Sequence, residues 1–125
     1  MTMTTDTSEI LDPVVVADLR RLRVPSMADL FQDLLVMFRG EAPKLLAAMR
    51  AAVAENNAEK LKMAAHSLKG AAGSLGATRL EANCAEVEKI GRAGSVEGAE
   101  PLLALLDPQF QQVYGALLAE HQRTN

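Results

Sequence analysis

Apolar residues in this chain recur at alternating steps of four and three, the spacing of one buried face of an α-helix. Phe31, Leu35, Phe38, Ala42, Leu45, Met49 and Ala52 hold a single phase across Gly40 and Pro43. A fresh helix would normally reset that phase. The pattern therefore predicts one long helix from Met27 to about Glu55, kinked near Pro43, with two helices broken there as the alternative. Leu61, Ala64, Leu68, Ala72 and Leu75 mark a second stripe, and Leu80, Cys84, Val87 and Gly91 a third. Ala99, Leu103, Leu106, Phe110, Val113 and Leu117 form a fourth, with Pro108 lying inside it and expected to bend it.

Boundary residues sharpen these elements. Asp12-Pro13 pairs an N-cap type with proline at the first helical position, predicting a short helix that runs to about Leu22 and stops before Pro25. Ser26 is a cap for the long helix, and Asn57 opens the second stripe, which Gly76 should end in the left-handed conformation. Thr78 is expected to cap the third helix, Gly91 and Gly94 to stop it near Ala93, and Ser95 to start the last. Short connections favour antiparallel neighbours. The expected fold is all-α, an antiparallel up-and-down four-helix bundle with an additional short N-terminal helix. Residues 1–10 read as a flexible leader, 11–120 as the bundle and 121–125, which include His121, as a polar tail.

Composition agrees. The 125 residues are 49% hydrophobic but only 3% aromatic, with no Trp, so alanine and leucine must fill one core. A net charge of −3 provides no basic stripe for nucleic acid. No run of about 18 apolar residues suggests a membrane span, and the polar leader lacks the order of a secretory signal. Cys84 is the single cysteine, which excludes an internal disulfide or a cysteine metal cluster and reads as a buried thiol. A cytoplasmic monomer is the expectation.

Candidate chemistry concentrates in the second stripe. On a helix, Lys62, Lys69, Gly70 and Gly73 fall within about 60° of His66, opposite the apolar face. Each glycine costs a helix interior roughly 0.5–1 kcal/mol relative to alanine, so two on an exposed face imply that something approaches this histidine closely. Histidine is substantially neutral at cellular pH, and its ring nitrogen can attack phosphorus to form a labile phosphoramidate. Lys69, and less directly Lys62, can offset the arriving charge. The sequence has no phosphate-binding glycine loop, no His-x-x-x-His pair and no nucleophile elbow. Ser67 and Ser74 lie too far around the helix to pair with His66 as nucleophiles, and Ser74 is better placed to hydrogen-bond near the helix end.

The run His66-Ser67-Leu68-Lys69-Gly70-Ala71-Ala72-Gly73-Ser74-Leu75-Gly76-Ala77 resembles the signature of histidine-containing phosphotransfer (HPt) domains of two-component phosphorelays. The similarity extends upstream through Phe38–Leu46, downstream through Leu80–Glu88, and covers about residues 12–120. The resemblance implies that His66 is the phosphoacceptor and that Lys69 stabilises the phosphorylated ring. It implies that Gly70 keeps the surface low for a docking receiver domain, that Gly73 and Ser74 shape the same surface, and that Glu88 orients the imidazole. The implied partners are receiver domains of response regulators or hybrid histidine kinases, which would supply the Mg²⁺ site, so the chain itself would need no metal and no other cofactor. It would be a phosphocarrier, not an enzyme in its own right. Two other readings stay open: a helical docking module whose histidine is never phosphorylated, and a metal-binding bundle. Whether the protein is free-standing or cut from a hybrid kinase is also open.

Overall fold

A computed structural model of the chain describes residues 11–15 and 27–124. Four long helices dominate it: α1 (Met27–Ala54), α2 (Ala58–Ser74), α3 (Thr78–Arg92) and α4 (Ala99–Thr124). Each packs on two others, α1 on α2 and α4, and α3 on α2 and α4, which closes the expected four-helix bundle. The α2–α3 pair has the most extensive contact of the four. Residues 13–15 are helical as well, and the Val14 amide donates to Asp12 Oδ1 at 2.9 Å, the capping bond expected from Asp12-Pro13. The rest of that predicted helix, the leader, the Ser26 cap and the side chains of Phe31 and His121 lie outside the described residues.

As the unbroken apolar phase predicts, α1 runs as one helix through Pro43. Pro43 itself is exposed, so the missing amide weakens one helical bond without disturbing the core. All the residues of the second, third and fourth stripes are buried. In α1 the buried position is Leu46, with Leu45 only partly covered. Alanines at 52, 65, 72, 77 and 99 are fully buried and let the helices approach closely. Phe38 on α1 packs against Phe110 on α4, with ring centroids 5.0 Å apart, and Tyr114 lies beside Phe110.

Three helix ends share one closing device. Asn56, Gly76 and Gly94 adopt φ of 55°, 74° and 83° after α1, α2 and α3. At each, the next residue's amide reaches back five residues and the left-handed residue's own amide three: Asn57 to Ala52 and Asn56 to Val53, Ala77 to Ala72 and Gly76 to Gly73, Ser95 to Ile90 and Gly94 to Gly91. Asn57 then caps α2 by accepting from the Lys60 amide at 3.0 Å. Gly76 is constrained twice over. A Cβ there would fall 2.9 Å from Val15 Cβ, because the N-terminal turn sits on this loop and the Asp12 amide donates to Gly76 O.

Three boundary expectations need correction. Thr78 is the first residue of α3; the cap position is Ala77, which has no capping side chain. Gly91 does not stop α3 but lies within it, buried, where a Cβ would come 2.8 Å from both Ala58 O and Lys62 N of α2. Its role is close packing, and Gly94 alone provides the left-handed stop. Ser95 does not start α4, which begins at Ala99; its hydroxyl accepts from the Glu97 amide and shapes the connecting loop. Helical structure also continues through Thr124, past the point where the polar tail was expected.

Candidate functional site

The apolar stripe of α2 faces the core, so its opposite side must face solvent, and His66 lies there with its side chain 67% exposed. Across from it on α3, Val87 and Glu88 both turn inward, which is unusual for the second. Glu88 is only 4% exposed, and a buried carboxylate is tolerated only when its oxygens are satisfied. Three cationic or polar side chains do this. Lys69 Nζ lies 2.6 Å from Oε1, while His66 Nδ1 at 2.9 Å and Arg92 Nη2 at 2.7 Å share Oε2.

This arrangement fixes the protonation pattern. The Lys69 ammonium, donating to Oε1, does most to hold the Glu88 carboxyl below the usual carboxylate range; burial pushes the other way and the His66 bond helps Lys69. An ionised carboxylate only accepts hydrogen bonds, so Nδ1 of His66 must carry the hydrogen. In the neutral ring the lone pair is then on Nε2, the nitrogen directed away from Glu88. The structure therefore presents an exposed imidazole whose ring is oriented by the buried Glu88 carboxylate.

The other candidates divide. Lys69 is not a free cation beside the ring but is 30% exposed and committed to Glu88. Lys62 pairs with Glu59 at 3.1 Å and borders the shallow depression beside His66. Gly70 is open, with nothing within 4 Å of the position a Cβ would take. Gly73 is not open in that way: a Cβ there would fall 2.7 Å from Glu81 Oε2, so the close approach it permits is by α3 of the same chain. Ser74 turns its hydroxyl back onto α2, donating to the Gly70 and Ala71 carbonyls at 3.0 and 3.1 Å. Arg92 was missed in the sequence, although its placement four residues after Glu88 on one helix was a usable signal.

The depression that His66 lines is mostly charged, bordered by Glu59, Lys62, Glu88 and Arg92 with Met63 and Ser67, and exposed apolar side chains lie on α2 and α1. Met63, one turn earlier, is 60% exposed, and Met37 on α1 is 63% exposed. Between α1 and α2 runs a groove of about 290 Å³ whose walls include Leu34, Met37, Phe38, Leu45 and Ala71. Among the described residues no cluster of three His, Cys, Asp or Glu side chains could hold a metal ion, and no helix is long and apolar enough to cross a membrane.

Residues 33–120 match the Hpt domain family, and the chain belongs to it. Its fold is similar to the crystal structure of histidine-containing phosphotransfer protein B (HptB) from Pseudomonas aeruginosa PAO1, with a TM-score of 0.77 and 27% sequence identity over 91% of this chain and 96% of that one. No curated protein matches the sequence. The protein acts in histidine phosphotransfer within two-component phosphorelays, and its partners are receiver domains of response regulators and kinases.

Proposed function

We propose that His66 carries the phosphoryl group on Nε2, taking it from the aspartyl phosphate of one receiver domain and passing it to the aspartate of another. The observation that carries this reading is the bond from Nδ1 to the buried Glu88 carboxylate. It sets the tautomer and aims the lone pair outward before any partner arrives. In the forward step the Nε2 lone pair attacks phosphorus. The Nε2–P bond forms, the P–O bond to the aspartyl carbonyl breaks, and the aspartate leaves as a carboxylate.

The phosphorylated ring keeps its Nδ1 hydrogen and so becomes cationic, and Glu88 stabilises that charge at hydrogen-bond distance. The return step reverses these bond changes on a second receiver. In this reading the receiver's acidic pocket supplies the Mg²⁺. This chain supplies the nucleophile, its orientation and the docking face. Gly70 leaves that face low, while Met63, Met37 and the groove between α1 and α2 offer the apolar contact that a protein interface concentrates at its centre. A cytoplasmic monomer meeting receivers one at a time fits this role.

The test is incubation of the protein and its His66→Ala variant with phosphorylated receiver domains and Mg²⁺. Acid-labile, alkali-stable label on the wild type alone is the expected result. Binding of receivers without transfer of label would instead favour a docking module.

A further inference from the structure

The sulfur atoms of this molecule fall into two groups. Cys84 is fully buried, and burial pushes its thiol up to about 12, which closes the usual thiolate route to oxidation. Met49 is fully buried as well. Met63 and Met37 are the opposite case, with 60% and 63% of their surface open to solvent. A thioether reacts without losing a proton, so exposure decides which sulfur an oxidant reaches first.

Both exposed thioethers lie on the surface that carries His66. Met63 stands about 60° around α2 from His66, on the same side as Gly70. It lines the depression beside the imidazole, while Met37 lines the groove between α1 and α2. A third hollow, bordered by Leu45, Met63 and Ser67, joins the two, and Ser67 lines all three. The methionines therefore belong to one continuous surface. A sulfoxide oxygen on either would make that surface polar where a partner's apolar side chains must fit.

Resting on the reading of His66 as phosphoacceptor, we propose that Met63 and Met37 form an oxidation-sensitive modification site on the receiver-docking face, at which hydrogen peroxide suspends phosphotransfer without altering the histidine. In each reaction the thioether sulfur attacks a peroxide oxygen. An S–O bond forms, the O–O bond breaks and water leaves, so that sulfur is oxidised and the peroxide reduced. Methionine sulfoxide reductase reverses the change with a dithiol, which ends as a disulfide while the oxygen departs as water.

The experiment treats the whole protein with hydrogen peroxide, removes the peroxide and locates the added oxygen by peptide mass spectrometry. Met63 and Met37 should be oxidised well before Met49. Transfer from a phosphorylated receiver, chosen by the labelling assay, should then fall about tenfold, because a sulfoxide buried at the contact has no hydrogen-bond partner there. Charging by potassium phosphoramidate, a small donor that needs no docking face, should proceed as before, and the reductase should restore receiver transfer. Met37→Leu combined with Met63→Leu, read against its own untreated rate, should be insensitive to peroxide. The proposal is overturned if Met49 is oxidised as fast as the exposed pair, or if the oxidised wild type keeps its untreated transfer rate. It is equally overturned if the double variant loses as much as the wild type, or if phosphoramidate charging is lost along with receiver transfer. Failure of the untreated protein to take from phosphoramidate a label that His66→Ala lacks would overturn the phosphoacceptor reading instead.

Discussion

Replacing Gly91 with alanine sets two effects of opposite sign against each other, and the structure decides between them. Alanine in place of glycine within a helix ordinarily stabilises by about 0.4–1 kcal/mol, chiefly by restricting the unfolded chain. At Gly91 the added methyl carbon would lie 2.8 Å from Ala58 O and from Lys62 N, and 2.9 Å from Lys62 Cβ. Two of these are backbone atoms of the first turns of α2 and cannot rotate away, so α2 and α3 must move apart by several tenths of an ångström. Overpacking of this kind costs about 1–3 kcal/mol. The net expectation is a destabilisation of about 1–2 kcal/mol, measured by urea unfolding.

Gly115 provides the matched control: it lies inside α4 with nothing within 4 Å of its would-be Cβ, so Gly115→Ala should hold or raise stability. The site should also respond to Gly91→Ala, because widening the gap between α2 and α3 lengthens the His66–Glu88 bond. If Gly91→Ala were as stable as Gly115→Ala, the close contact would not be present in solution and the correction of Gly91 from helix stop to packing residue would be wrong.

Three further outcomes follow from the site and core. Glu88 has a lowered pKa in the folded state, so its contribution to stability is present above the ordinary carboxylate value and is lost as pH falls through the folded one. The stability gap between wild type and Glu88→Gln should therefore shrink steadily in acid, and a gap that widened there would contradict the ion-pair cluster. Gly70→Gln should keep the helical circular dichroism of the wild type yet slow transfer from a receiver by about tenfold or more, because it misplaces the docking partner; unimpaired transfer would remove Gly70 from the docking face. Burial, with some help from Glu81, pushes the Cys84 thiol up to about 12, so iodoacetamide should label it only through unfolding; native protein that reacts as fast as urea-unfolded protein would contradict the buried position.

How much of this was readable in the sequence depended on whether a feature is set by one helix or by two. The stripes of α2, α3 and α4, the passage of α1 through Pro43 and the turns at Asn57 and Gly76 are properties of a single segment, and they were legible. So was the outward face of His66. What depends on the register between helices was not. A glycine near a helix end looks the same whether it stops the helix, as Gly94 does, or admits a neighbouring backbone, as Gly91 does. Likewise Gly73 shares a face with Gly70, but only the placement of Glu81 on α3 distinguishes them. Glu88 entered through family resemblance alone, since no spacing rule turns a glutamate inward. Arg92 was overlooked because its value derives from Glu88.

The close pairing of α2 and α3 also bears on how the protein folds. His66, Lys69, Glu88 and Arg92 all belong to one helical hairpin, residues 58–92, closed by the turn at Gly76. Contacts between segments so near in the chain incur little loop-closure entropy and form early. The contact of α1 with α4, in contrast, joins opposite ends of the chain, and that pairing has to close the longest loop. Amide exchange during refolding should accordingly show protection in α2 and α3 before the α1–α4 seam, so that the phosphocarrier's working surface takes shape while half the bundle is still being assembled.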